Sequence, residues 1–162
     1  MNTDNYEIER KFLIKYPEKS VLGACADVTE IIQTYLLGGE KGFSERVRKR
    51  GKDGKYIYTH TRKMHITDMR RIELENEIGE QEYLELLKRS DPDRKTIYKS
   101  RYCLVHEGQT FEIDIYPFWK NQAIVEIELL NEKEEIRIPE FLNVIKEVTD
   151  DDAFKNSSLA RL

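Results

Sequence analysis

Apolar and polar residues alternate along most of this chain, the period that sends every second side chain of a strand to one face. The alternation predicts about eight strands, near residues 5–14, 31–37, 43–50, 55–64, 69–78, 95–106, 109–116 and 124–131. Glycines between several of them, at 38–42, 51–54 and 108, supply tight turns. Three stretches read as helices. One follows Pro17, one runs from Glu80 to Arg89 with Tyr83, Leu86 and Leu87 on a common face, and one follows Pro139 with Phe141, Ile145 and Val148 spaced likewise. Their apolar faces need a partner, which Ile8, Phe12, Ile72, Leu74, Ile113, Ile115, Val125 and Ile127 provide on the apolar side of the strands. The fold class is therefore α+β, with helices outside an antiparallel sheet. Alternation alone fits both a closed eight-stranded barrel and a curled open sheet.

The other side of the strands is charged, and each strand carries nearly one sign. Glu7 and Glu9 share a face with Lys11, Glu112 with Asp114, and Glu126 with Glu128. Arg46, Arg48 and Arg50 form a positive row, and Lys99 and Arg101 another. An antiparallel sheet with one wet face would explain alternation without any function. Solvated faces, however, mix signs, because like charges side by side repel. Rows of one sign point to a collective ligand: divalent cations on the carboxylates and a polyanion on the Arg and Lys rows. If the sheet closes, a dry lumen of unpaired charges is too costly, so water, metal and substrate must fill it.

The length, 162 residues, suits one domain over 1–162 with a sizeable core. A net charge of −4, from 27 basic and 31 acidic residues, argues against a duplex nucleic-acid partner, which an overall basic field would serve. No apolar run approaches the ~20 residues that span a bilayer, and the N-terminus lacks the features of a secretory leader, so no membrane partner is expected. Cys25 and Cys103 stand far apart with no second pair, which argues against a disulfide framework or zinc site and fits a reducing cytoplasm. His60, His65 and His106 lack ligand spacing. The acidic run Asp150, Asp151 and Asp152 reads as a helix N-terminal or solvated feature.

The charged elements occur in an order that resembles the CYTH superfamily, the triphosphate tunnel metalloenzymes. The resemblance covers nearly the whole chain. It rests on Glu7-x-Glu9-x-Lys11, Gln33-Thr-Tyr35-Leu36, Arg46-x-Arg48, Thr61-x-Lys63, Arg71-x-Glu73-x-Glu75, Lys99-x-Arg101-Tyr102, Glu112-x-Asp114 and Glu126-x-Glu128. It implies a closed eight-stranded antiparallel barrel forming a tunnel for triphosphate. Ala153 stands where many relatives carry Arg, so one expected phosphate contact is absent.

Hard ions such as Mg²⁺ and Mn²⁺ take carboxylate and phosphate oxygens. With two ions expected, Glu7, Glu9, Glu126 and Glu128 are the first choice of ligands, and Glu73, Glu75, Glu112 and Asp114 contribute through water or the second ion. Arg46, Arg48, Arg50, Lys63, Arg71, Lys99 and Arg101 would clamp the phosphates. Lys11, with Glu9 and Glu128, stands in the catalytic set: its plainer role is a phosphate contact, the alternative a lowered pKa that activates water. Arg10 has the opposite parity and should face away.

The function implied is metal-dependent hydrolysis of a triphosphate, foremost inorganic tripolyphosphate to pyrophosphate and phosphate, with slower cleavage of nucleoside triphosphates. A class IV type adenylate cyclase is the second reading, and it requires a nucleoside pocket that the sequence does not display. Thiamine triphosphatase is a third. A non-catalytic polyphosphate-binding module would keep the basic rows and lose a carboxylate, whereas the carboxylates are all present here. The partner expected is a small triphosphate-containing molecule, with a homodimer left open.

Overall fold

A computed structural model describes residues 6–162. Nine strands form one antiparallel sheet: β1 (Tyr6–Lys15), β2 (Asp27–Leu36), β3 (Ser44–Lys52), β4 (Lys55–His65), β5 (Arg70–Ile78), β6 (Ile97–His106), β7 (Gln109–Ile115), β8 (Gln122–Glu128) and β9 (Val144–Glu147). Their order is β5-β4-β3-β2-β6-β7-β8-β1-β9, and a further pairing of β5 with β1 closes the first eight into a barrel. Closure uses only the start of β1, where Glu7 lies opposite Arg71. Farther along the same edge β9 takes over, with Phe12 opposite Glu147. The other edge of β1 pairs with β8 from Glu9–Glu128 to Lys15–Gln122.

Local chemistry sets the hairpins. Asp53 and Gly54 both have positive φ, as do Glu107 and Gly108. Each pair forms the two-residue turn whose twist matches antiparallel strands, and glycine adopts that conformation without steric cost.

The barrel has apolar packing outside and, at one end, inside. Outward residues of β1 and β6–β8, including Phe12, Ile14, Phe111, Ile113 and Val125, are buried beneath Val21 and Leu22 of α1 (Lys19–Gly23) and a segment carrying Ile136, Ile138 and Leu142. The helix α2 (Glu80–Leu87) sets Tyr83 against Leu36 and Val47 on the outer face of β2 and β3. Along the inward face of β1, Glu7, Glu9 and Lys11 give way to Leu13, which meets Tyr35, Ile97, Tyr116 and Ile124. Leu159 and Ala160, at the end of α3 (Asn156–Leu159), complete this apolar plug.

The expected helix after Pro139 is replaced. A 3-10 turn over Glu140–Leu142 ends at Asn143 in the left-handed region (φ 50°, ψ 63°), and the chain continues as β9. Phe141, Ile145 and Val148 therefore do not share a face: Phe141 and Ile145 are exposed, whereas Val148 is buried in the plug. The unpaired edge of β1 offers backbone hydrogen bonds that outweigh weak helical periodicity. The second strand also starts earlier than expected, at Asp27, because β6 continues to pair with it as far as Cys103. Asp151 accepts a hydrogen bond from the Ala153 amide at 3.0 Å, so part of the acidic run starts a 3-10 turn. Among the described residues no helix is long and apolar enough to cross a membrane.

Candidate functional site

Strand parity sends the charged faces into a cavity of about 390 Å³. It is lined by Glu7, Glu9 and Lys11 of β1; Arg46, Arg48 and Arg50 of β3; Lys63 of β4; Arg71, Glu73 and Glu75 of β5; Arg101 of β6; Glu112 of β7; and Glu126 and Glu128 of β8. Two residues placed in the site from the sequence, Lys99 and Asp114, do not reach it. Lys99 Nζ donates to Asp114 Oδ2 at 2.7 Å, with both side chains wholly enclosed. They neighbour the apolar plug, where the ion pair satisfies each charge without solvent.

Carboxylates face one another across strands. Glu9 is directly opposite Glu128 in the β1–β8 ladder, and Glu126 is opposite Glu112 between β7 and β8. Opposed like charges destabilise a sheet unless something compensates them. Burial pushes the Glu9 carboxyl above its ordinary pKa, and Glu126 and Glu7 add to the rise. Glu7, Glu112 and Glu128 are raised too, with burial the largest cause in each. Glu126 behaves differently. Burial opposes its ionisation, but Lys11 and Arg101 outweigh that and hold it well below the carboxylate range.

The acids are partly neutralised from across the cavity. Lys63 Nζ lies 2.9 Å from Glu7 and 3.5 Å from Glu73, and Arg71 Nη2 lies 3.2 Å from Glu9. Arg101 grips Asp114 through Nε at 2.7 Å and Nη2 at 2.9 Å, and also reaches Glu112 at 2.8 Å and Glu126 at 3.1 Å. Lys11 Nζ is 3.3 Å from Glu126. Burial acts to lower the Lys11 pKa, yet Glu126 and Glu9 prevail and raise it. It is therefore an ammonium, which favours the phosphate-contact role over activation of water.

Arg46 and Arg48 differ from the other cations. Among the described residues neither has a carboxylate within ion-pair distance, and the Nε atoms of both are buried without a hydrogen-bond partner. Arg46 is 8% exposed, and Arg48 is fixed by a 3.0 Å hydrogen bond from Nη2 to Gln33 Oε1. Burial, with Arg46 and Arg101 as neighbours, pulls the Arg48 pKa down to about 10. Two guanidiniums with buried, unused Nε donors have the chemistry to hold an anion.

Tyr35, Ser44, His65, Lys155, Asn156 and Ser157 also line the cavity and were absent from the expected set. Tyr35, Ser44 and His65 share the inward parity of Gln33, Arg46 and Lys63, so the period-two pattern contained their signal. The last three lie outside the period-two pattern, although Phe154-Lys155-Asn156 resembles a closing element of the family. They arrive through the C-terminal segment, which is tied to the barrel by Lys11 Nζ donating to the Phe154 carbonyl at 3.5 Å and by a Tyr116 hydroxyl hydrogen bond to Asn156 Oδ1. Arg10 points outward and holds Glu147 by two bonds of 2.6 and 2.9 Å.

Glu7, Glu9, Glu112 and Glu128, whose pKa values burial raises, are oxygen donors of the kind that could hold a hard divalent cation. Among the described residues no three acidic or imidazole groups already converge at ligand distance.

No protein-family model matches the sequence, and no curated protein matches it significantly. Solved structures do. The hypothetical protein NE1496 is 27% identical, covering 96% of this chain and 98% of its own with a TM-score of 0.59. A second crystal structure, of the inorganic triphosphatase NE1496, is 27% identical over 100% of this chain and 97% of its own with a TM-score of 0.58. The PH1819 protein from Pyrococcus horikoshii OT3 shares the fold at 23% identity, over 78% of this chain and 80% of its own, with a TM-score of 0.55. A barrel closed by β1 against β5, with charge rows turned inward and a likeness to the inorganic triphosphatase NE1496 from end to end, supports membership of the CYTH superfamily.

Proposed function

We propose that this protein hydrolyses inorganic tripolyphosphate to pyrophosphate and phosphate in a reaction dependent on Mg²⁺ or Mn²⁺. The observation that carries the reading is the pair Arg46 and Arg48, whose Nε atoms are buried without a hydrogen-bond partner and which have no carboxylate at ion-pair distance among the described residues, facing a row of carboxylates that repel one another. A polyanion accompanied by divalent cations compensates both at once. The likeness to an inorganic triphosphatase over the whole chain supports hydrolysis as the outcome.

Arg46 and Arg48 would grip phosphate oxygens with their guanidinium forks, and Lys11, Lys63 and Arg71 would exchange part of their carboxylate contacts for substrate. Arg101 is held in place by Asp114, itself fixed by Lys99, so its remaining edge is presented without a search through rotamers. Glu7, Glu9 and Glu128 would hold the metal, with Glu112 and Glu126 close by. A bound divalent ion shields phosphate charge and lowers the pKa of a coordinated water. The water oxygen forms a bond to the terminal phosphorus as the bridging P–O bond breaks, and that bond's electron pair leaves on pyrophosphate. The water proton ends on orthophosphate. No protein nucleophile is needed, because positioning and charge compensation carry phosphoryl transfer. Free Cys25 and Cys103 suit the reducing cytoplasm that we propose as the setting.

The test incubates purified protein with tripolyphosphate, ATP or thiamine triphosphate, with Mg²⁺, Mn²⁺ or EDTA, and resolves the products. Orthophosphate and pyrophosphate from tripolyphosphate, abolished by EDTA, are expected. Cyclic AMP with pyrophosphate as the dominant product from ATP, or turnover indifferent to EDTA, would overturn the reading.

A further inference from the structure

The arginine row of β3 sits between two neutral rows. Arg46 lies between Tyr35 of β2 and Thr61 of β4, Arg48 between Gln33 and Thr59, and Arg50 between Ile31 and Ile57. The other cations of the cavity face acids: Lys11 meets Glu126, Lys63 meets Glu7, Arg71 meets Glu9 and Arg101 meets Asp114. In the row, the acceptors that fix an arginine carry no charge. Arg50 Nε donates to Thr29 Oγ1 at 3.0 Å, and Arg48 Nη2 donates to Gln33 Oε1 at 3.0 Å. Gln33 is wholly buried and is not part of the cavity lining, so its carboxamide acts on the cavity only through the side chains it bonds.

The amide is itself held. A guanidinium has only donors, so the carboxamide turns its oxygen to Arg48 and its nitrogen to the Tyr35 hydroxyl, 3.1 Å away. Tyr35 is braced in turn. The Asp91 amide donates to its carbonyl at 2.9 Å, and Arg94, gripped by Asp91 at 2.7 Å, lies over the ring with its guanidinium carbon 4.6 Å from the centroid. A carboxylate of the same shape would hold Arg48 as firmly but would pair its charge, and a substrate phosphate would then have to displace it. We infer that Gln33 is a positioning residue for phosphate binding: its neutral carboxamide aims Arg48 into the cavity and leaves the guanidinium's charge for the substrate. The inference rests on the triphosphatase reading for the identity of the anion.

The test measures KM and kcat for tripolyphosphate with Mg²⁺, and the melting temperature of the full chain with and without tripolyphosphate, for wild type, Gln33→Glu and Gln33→Met. Gln33→Glu keeps the shape and the acceptor but pairs the charge. Its KM rises about tenfold with kcat within about threefold, while the ligand-free protein melts no lower than wild type. Gln33→Met leaves the charge but removes the acceptor, so KM rises about fivefold and the ligand-free protein melts lower. A merely structural glutamine would make KM follow the melting temperature, so a folded Gln33→Glu with the KM of wild type overturns the inference. Should that variant not fold, Gln33→Met decides alone, and a KM within about twofold of wild type overturns it. Wild type that tripolyphosphate stabilises but that releases no phosphate overturns the hydrolase reading instead, and the ligand-induced rise in melting temperature then ranks the variants. Wild type neither stabilised nor active overturns both.

Discussion

Replacing Arg48 by Met should stabilise the ligand-free protein while crippling substrate binding. The half-buried Arg48 guanidinium, its Nε buried without a hydrogen-bond partner, has no carboxylate at ion-pair distance among the described residues, and its pKa falls to about 10. Against an ordinary ~12.5, and at 1.36 kcal/mol per tenfold change in proton affinity, keeping that charge costs the folded state about 3 kcal/mol. For a base whose folded-state pKa is depressed, the cost is complete below the folded value, so it is fully present at pH 7. Met fills a similar length without a charge. The change also removes the donor to Gln33 Oε1, a loss of about 1 kcal/mol, although Gln33 Nε2 still donates to the Tyr35 hydroxyl at 3.1 Å. The balance is a gain of about 2 kcal/mol, which for a domain of this size raises Tm by roughly 4–8 °C. Tripolyphosphate should bind about 100-fold more weakly, since a charge-assisted fork worth ~3 kcal/mol is gone. Scanning calorimetry with and without tripolyphosphate reads both effects: the apo transition moves up and the ligand-induced increment shrinks. A variant less stable than wild type, or one stabilised by tripolyphosphate as strongly as wild type, would refute the argument that Arg48 is held uncompensated for an anion.

Glu9→Gln and Glu128→Gln should each leave the apo fold as stable as wild type or more so at pH 7, because carboxylates whose pKa is raised in the folded state oppose folding above their ordinary value. Phosphate release titrated with Mg²⁺ should shift to higher metal concentration in both, and unchanged titrations would remove them from the ligand set. Arg10→Ala should keep kcat/KM for tripolyphosphate within about twofold and cost at most ~1 kcal/mol in a denaturant melt, as its partner Glu147 lies on the outer surface. Turnover damaged as severely as in Arg48→Met would contradict the inward and outward assignment. Burial drives the Lys99 pKa down to about 7, with Asp114 opposing the fall and Arg101 adding to it. The unfolded chain then binds the extra proton between about pH 7 and ~10, so stability should rise with pH across that window in wild type. That component should be absent in Lys99→Met, and parallel stability curves for the two proteins would rule it out.

The period-two pattern determined a great deal by itself. A strand has only two faces, so the spacing of Glu7, Glu9 and Lys11, or of Arg46, Arg48 and Arg50, settles which side chains lie together without knowledge of the partner strands. The same parity excluded Arg10, and it also pointed to Tyr35, Ser44 and His65, which share a face with charged neighbours but carry weaker chemical signals. Depth along a strand was not legible. Lys99 and Arg101 have the same parity, yet one is sealed against Asp114 and the other borders the cavity, because the plug of Leu13, Ile97 and Ile124 fills one end of the lumen. Nor could periodicity foresee that the segment after Pro139 becomes β9, since the exposed edge of β1 that recruits it exists only after β5 has diverged. Lys155 and Asn156 reach the cavity through contacts that span the chain from Lys11 and Tyr116. Facing direction is a property of neighbouring residues and is written locally, whereas closure and depth depend on which strands meet and on their stagger, and only the tertiary structure decides these.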